Sequence, residues 1–414
     1  MKKSSNLIQK IKIKNVLSFS EEGIELDLRN LNVIIGANGS GKSNFIEVIS
    51  LLQTAPTHLA SVVRDRGGIA TWLHNNGKNK DSRVASIEVV TSITSDHRKY
   101  NKPIKHKIEF TKSNNKFELV DEVIEDSEKT DVNAKQAFFY YKYQNNRPII
   151  ATKENCNDKN KRRNAERCER HLERDSIDHE QSILSQRKSP ESYPEIAKLA
   201  QAYEQIKIYR EWTFGRYSKP REPQRADMRN DFLEENCENL ALVLNKIEQD
   251  PVAKNKILKH LKLLYPRFNN YSVLVEAGSA QIFFIEDNIS IPATRLSDGT
   301  LRYLSLLAAL YNPTKPNSIV CIEEPELGLH PDILPNLAKL LKEASQDRQI
   351  IVTTHSDILI SALSDTPESV IVSENTKGFT TLRRLKMDDL KKWLEEDYSL
   401  GELWNEGKIG GNRY

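Results

Sequence analysis

Asn32-Val33-Ile34-Ile35-Gly36-Ala37-Asn38-Gly39-Ser40-Gly41-Lys42-Ser43 decides the fold. Gly36 to Ser43 fits G-x-x-x-x-G-K-[ST], the phosphate-binding loop. The apolar run Val33 to Ile35 is expected to be a buried strand that delivers the chain to the loop. Asn44 to Leu52 places Phe45, Ile46, Val48, Ile49 and Leu52 at helical spacing, so a helix should follow. The glycines allow a tight turn with backbone N–H groups facing inward, and these join the helix N-terminus in an anion cradle. Gly36, Asn38, Gly39, Ser40, Gly41 and Asn44 are therefore candidate nucleotide contacts. Lys42 is expected to reach the β- and γ-phosphates, and the Ser43 hydroxyl to hold Mg²⁺.

Outward from the loop, composition sets limits. The chain has 414 residues, 29% of them charged and 38% apolar, with a formal charge of +3. That length permits two or three domains and a large core. So small a net charge neither demands nor excludes nucleic acid, since a local patch matters more than the total. Four cysteines in so long a chain make no disulfide framework, and a reducing, cytoplasmic setting is expected. No apolar segment follows Met1-Lys2-Lys3 as in a signal peptide, and no run approaches membrane-spanning length, so no membrane is expected.

Ile24, Leu26 and Leu28 alternate with acidic residues before the loop, as in a half-solvated strand. Thr54 to Asn79 is punctuated by Pro56, Gly67, Gly68 and Asn75-Asn76-Gly77 and reads as loop. From Val84 to Tyr143 the apolar period is two, with a hairpin turn at Ser113-Asn114-Asn115, so an antiparallel sheet is expected. Residues 151–190 are polar and mixed in charge, with few apolar anchors; a solvated helix or partly disordered insertion fits them. Cys168-x-x-His171 could open a zinc site, but no second pair of standard spacing accompanies it. Ser189 to Tyr209 reads as a helix with Ile196, Leu199, Tyr203 and Ile206 on one face. Between Lys207 and Arg229 lie seven basic and three acidic residues interleaved with Tyr209, Trp212, Phe214 and Tyr217. Two readings stand for that stretch. Basic groups and aromatics can neutralise phosphates and stack on bases; equally, the aromatics can be core and the arginines paired with carboxylates.

Further on, Leu296-Ser297-Asp298-Gly299-Thr300 presents a second helix N-terminus, with Ser297 as its cap. Ser318 to Ile322 is an apolar strand ending in Glu323-Glu324. Glu323 is suited to the Mg²⁺ shell, and Glu324 to polarising the attacking water as general base. After another buried strand, Gln349 to Thr353, come Thr354-His355-Ser356; His355 is placed to contact the γ-phosphate or position the water.

Phosphate loop, LSxGx-type loop, strand with two acids, and histidine after the next strand occur in the order of ATP-binding-cassette ATPase heads. The chain resembles the RecF/SMC-like branch of that family. Ile13-Lys14-Asn15-Val16-Leu17-Ser18-Phe19 resembles its opening, and Ile322-Glu323-Glu324-Pro325-Glu326-x-x-Leu329-His330-Pro331 its Walker B and D-loop, as also in OLD-family ATPases. ATPase subunits of anti-phage systems such as Septu and PARIS belong to the same wider group. The resemblance implies an α/β head, a mixed sheet with helices plus an antiparallel subdomain. It divides the chain into residues 1–150 (first half of the head), 151–265 (a mainly helical middle lobe) and 266–414 (second half and C-terminal helix). About 255 residues separate Lys42 from Ser297 without a long heptad pattern, so an extended coiled coil is excluded.

The resemblance further implies ATP and Mg²⁺ as cofactors and two heads enclosing two ATPs. The Ser297–Gly299 loop of one copy would cap the γ-phosphate held by Lys42 of the other. Gln186 is the implied glutamine linking the γ-phosphate to the middle lobe, with Gln144 and Gln181 as alternatives. Asp298 replaces the usual second glycine of the signature, and Glu323 the commoner aspartate. No Toprim-like acidic cluster, H-N-H pattern or nucleophile arrangement is found, so nuclease action would have to come from a partner protein. Three functions follow by analogy: an ATPase whose head dimerisation senses or clamps DNA and controls a separate effector in anti-phage defence, a RecF-like repair ATPase, or a nucleotide-gated scaffold with little hydrolysis.

Overall fold

The computed structural model describes residues 6–75, 84–95, 102–129, 136–144, 147–152, 168–210, 212–312 and 318–411. Cys156 and most of the polar stretch before Cys168 lie outside these, as do Asn76-Gly77.

A six-stranded sheet forms the centre. Its spatial order is Ile206–Tyr209, Ile319–Glu323, Gln349–Thr354, Leu31–Ile35, Val370–Thr376, Phe379–Arg384. The first five strands are parallel and the last is antiparallel. Both faces are covered, which is why these strands read as continuous apolar runs. Their alternate residues enter two different cores. Val33, Ile35, Val320, Ile322, Ile350 and Val352 face helices Leu240–Glu248, Pro251–Leu264, Asp298–Tyr311 and Leu334–Ala344. Ile34, Ile319, Cys321, Ile351 and Ile371 face the loop helix Lys42–Thr54, helix Pro194–Glu204 and an eight-stranded antiparallel sheet.

That antiparallel sheet begins with Ile24–Asp27 and Ile8–Lys14, continues through Ala85–Thr94, Pro103–Ser113 and Lys116–Asp126, and ends at Cys168–His171. The expected hairpin turn falls at Asn114 and Asn115, both with positive φ, the region asparagine tolerates best after glycine. A smaller sheet, built on the hairpin Phe268–Glu276 and Ser279–Glu286, packs against helices Leu240–Glu248 and Pro251–Leu264. No described helix is long and apolar enough to cross a membrane.

Two local expectations are corrected. The helix expected to run on to Tyr209 ends at Glu204, and Ile206–Tyr209 is the outermost strand of the central sheet. Ile206 and Ile208 fit a strand alternation as well as a helix face, and pairing with Ile319 to Ile322 decides between them. The loop expected after Thr54 contains two short helices, Leu59–Asp65 and Ile69–Trp72.

Candidate nucleotide site

Parallel strands gather a site at their carboxyl ends. Register aligns three of them: Glu323 lies opposite Thr353, and Thr353 opposite Ile34. The phosphate loop, the two glutamates and His355 therefore leave the sheet side by side.

The loop is held by its own geometry and by the hairpin beside it. Gly36 has φ +156°, and a Cβ there would stand 2.3 Å from the Ser373 carbonyl oxygen. Gly41 has φ +103°, and a Cβ there would stand 2.1 Å from Thr380 Oγ1. The Ser373 and Thr380 hydroxyls both donate to the Ser40 carbonyl, at 2.9 Å each. Asn44 donates to Ser18 at 2.6 Å, and Asn38 and Gly39 form the exposed tip. The C-terminal segment reaches the same place. Gly411 N–H donates to Glu374 at 3.0 Å, and a Cβ on Gly411 would lie 3.5 Å from the Gly36 Cα.

Inside the cradle Lys42 Nζ donates to the carbonyls of Gly36 (2.8 Å) and Ala37 (3.0 Å). Burial lowers its pKa to about 8 against the pull of Glu324, Glu326 and Glu323. Ser43 Oγ donates to Glu323 Oε2 at 2.9 Å, although 280 residues separate them. Ser40 Oγ is buried without a hydrogen-bond partner among the described residues. A buried ammonium on loop carbonyls, an unsatisfied hydroxyl and a serine–carboxylate pair fit a phosphate chain and its Mg²⁺: Lys42 and Ser40 for the phosphates, Ser43 and Glu323 for the metal.

Glu324 adopts φ +46°, the left-handed region that costs a non-glycine residue about 1–2 kcal/mol. Its N–H donates to the Thr353 carbonyl at 3.0 Å, and its Oε1 lies 3.6 Å from His355 Nε2. The strained turn separates the two acids, Glu323 towards Ser43 and Glu324 towards His355. Glu326 serves the histidine loop: its Oε1 accepts from Thr354 Oγ1 (2.6 Å) and His355 N–H (2.9 Å). Burial raises its pKa.

The signature residues stand apart from this cluster. Ser297 is exposed, caps the Asp298–Tyr311 helix through Thr300 N–H (3.1 Å), and lies 3.2 Å from the Tyr265 hydroxyl. A Cβ on Gly299 would stand 3.0 Å from the Gly328 carbonyl, so this loop leans on the D-loop of its own chain. Gln186 is engaged elsewhere: its amide bonds Asp178 N–H (2.9 Å) and the carbonyls of Asp178 and Gln181 (3.0 and 2.9 Å). The Gln181 side chain accepts from Leu59 N–H at 3.0 Å.

Within the basic stretch Tyr209, Trp212 and Phe214 are buried, while Tyr217 is 81% exposed. Lys207 and Arg229 each stand over the Phe232 ring, and Arg225 and Arg229 pair with Asp227 and Asp231. Arg210 lies 2.9 Å from Glu323, and Arg221 pairs with Asp298. The in-chain reading of this stretch is the one the geometry favours. Motif spacing does not single out Arg210 beside Glu323 or Arg221 beside the signature loop, and it includes Glu326 without its role on the His355 loop.

The fold and the site define a RecF/SMC-like ATPase of the ATP-binding-cassette type. The SMC head bound to the C-terminal winged-helix domain of ScpA superposes with TM-score 0.55 at 14% identity, covering 93% of this chain and 99% of that one. A Pyrococcus furiosus SMC head with an extended coiled coil, bound to the C-terminal domain of ScpA, gives 0.55 at 13% over 94% and 99%. The chain belongs to the family described as AAA domain, putative AbiEii toxin, Type IV TA system, which matches residues 31–361. Curated relatives include the DNA replication and repair protein RecF of Halothermothrix orenii, 32% identical over 114 residues (28% of this chain, 26% of that protein). The Retron Ec83 probable ATPase of Escherichia coli is 27% identical over 150 residues (33% and 27%). The matches span about a quarter of each relative's length.

Proposed function

We propose that the chain hydrolyses ATP at this site and that hydrolysis controls head-to-head assembly of two copies. The Ser43–Glu323 contact carries the reading, because it joins the loop serine to the strand-end acid where a metal–phosphate pair needs both. When bound, Mg²⁺ supplies positive charge to the phosphate oxygens. Lys42 leaves the Gly36 and Ala37 carbonyls for those oxygens. Glu324 takes the proton of the attacking water at its carboxylate, and His355 holds that carboxylate from its Nε2 side. Ser297 and Gly299, on an exposed helix N-terminus, supply the cap from the second copy. Leu327 of the D-loop, 52% exposed, extends the face that a second copy would cover.

We assign the assembly to sensing or clamping DNA and to control of a separate effector, such as a nuclease, in anti-phage defence. The retron ATPase supports this role. A repair role is the second reading, favoured by the similarity to RecF. The test compares wild type with Glu324→Gln for turnover and for mass with and without Mg-ATP. The variant is expected to lose about a hundredfold or more in turnover and to accumulate as an ATP-dependent dimer or higher assembly. Surviving turnover, or a mass indifferent to ATP, overturns the scheme.

A further inference from the structure

Arg210 sits where a guanidinium and a divalent cation would compete for the Glu323 carboxylate. The register that sets Tyr209 opposite Ile322 sets Arg210 beside Glu323. Its Nε lies 2.9 Å from Glu323 Oε1, while the other oxygen of that carboxylate takes the Ser43 hydroxyl. The Nε approach is close enough for an ion pair but lacks hydrogen-bond geometry, and Nη2 is buried with no partner among the described residues. The well-formed bond is from Nη1 to Glu47, at 2.8 Å. Glu47 lies one helical turn beyond Ser43 and also receives Arg66. The side chain is thus 10% exposed, lodged between two carboxylates, and satisfied by only one.

The chain leaving Arg210 is bound to the signature loop. Arg302, on the signature helix, donates to the Trp212 carbonyl and lies 5.4 Å over the Phe214 ring. Arg221, 8% exposed, donates to the carbonyls of Phe214 (3.3 Å), Ala293 (3.2 Å) and Leu296 (2.6 Å), and pairs with Asp298. Arg210 therefore stands at the metal carboxylate, and Trp212 to Arg221 bind the signature helix and the loop that carries Ser297.

We propose that Arg210 is a positioning residue that stands in for Mg²⁺ at Glu323 when no nucleotide is bound, and that its displacement towards Glu47 carries site occupancy to the signature loop through the contacts of Trp212, Phe214 and Arg221. A cation arriving at Ser43 and Glu323 repels the guanidinium, and Glu47 is the acceptor already in contact with it. The inference rests on the reading of this site as an Mg-nucleotide centre.

The test titrates MgCl₂ into the full-length protein with a fluorescent ADP analogue and reads the Mg²⁺ midpoint of binding. It then reads assembly mass with ATP in the Glu324→Gln background. Arg210→Gln removes the competitor, so the midpoint is expected to fall roughly threefold or more, with assembly lost at saturating Mg-ATP. Arg210→Lys restores a cation and should return the midpoint towards wild type. Arg221→Gln should keep the midpoint within about twofold yet weaken assembly. An unchanged or raised midpoint in Arg210→Gln overturns the proposal, as does assembly at the wild-type level in both Gln variants. Should Arg210→Gln fail to fold, Glu47→Gln takes away the acceptor and is expected to raise the midpoint; no change there overturns the proposal equally. Wild type that binds the analogue without regard to Mg²⁺ would instead defeat the reading of the site itself.

Discussion

Lys42 shows how one side chain can hold its function in reserve. Its ammonium is buried on two loop carbonyls, and burial outweighs three nearby glutamates in setting its proton affinity. The pKa falls from 10.5 to about 8, so between those values the unfolded chain binds the proton and the folded head does not. Stability of the free head therefore gains as pH rises from about 8 to 10.5 and carries the full penalty below about 8. Phosphate needs the charged form. Affinity for Mg-ATP is expected to be flat up to about pH 8 and then to weaken about tenfold per unit, until the lysine pKa of the complex is reached. Fluorescence titrations from pH 6.5 to 10 check this; affinity flat to pH 10 would mean that the free lysine keeps its proton. Glu324 and His355 were legible beforehand because each closes an apolar strand in a recognisable order. Arg210 was not, since its partner is 113 positions away and an arginine after a short strand carries no local signature. Glu326 was visible only as part of a motif; its hold on the His355 N–H needs the neighbouring strand.

Among elements, the phosphate loop and the hairpin Val370–Arg384 behave as one unit. Gly36 faces a backbone oxygen of the hairpin, whereas a Cβ on Gly39 meets nothing within 4 Å. Gly36→Ala is expected to cost about 2–4 kcal/mol and to abolish nucleotide binding. Gly39→Ala, facing only the penalty of its φ of +76°, should cost about 1 kcal/mol. Chemical denaturation of both variants checks the contrast, and equal losses would show that the Ser373 contact is not what fixes the loop. Local pattern predicted the loop well, because tight turns select glycine through their own dihedral angles. It failed at Ile206–Tyr209, where four residues satisfy two periods and a strand from far along the chain settles the choice. It also left Gln186 ambiguous; the structure gives that side chain to the turn at residues 178–182.

For the whole molecule, the question is where the second half of the site comes from. Ser297 and Gly299 bond or touch Thr300, Tyr265 and Gly328, all on their own side of the head, while the loop end of Ser297 faces solvent. If a second copy supplies them, inactive Lys42→Ala and inactive Ser297→Arg chains complement each other. Mixed in equal amounts they should recover about a quarter of wild-type turnover, since half the pairs are hybrid and each hybrid has one sound site. No recovery would mean that the site is completed within one chain or by another protein. This level was the least legible in the amino-acid order, because a surface that a second copy would cover leaves no periodicity.

The strand order also governs when this protein can first work. The nucleotide strand Leu31–Ile35 lies between Gln349–Thr354 and Val370–Thr376, and Gly411 closes against Gly36. During translation the loop emerges from the ribosome roughly 310 to 370 residues before its supports, on the order of fifteen to seventy-five seconds earlier. Such distant pairing also folds slowly. A nascent chain thus carries the complete phosphate motif and no cradle, and the proposed ATP chemistry has to wait until Gln349–Thr354 and Val370–Thr376 have been made.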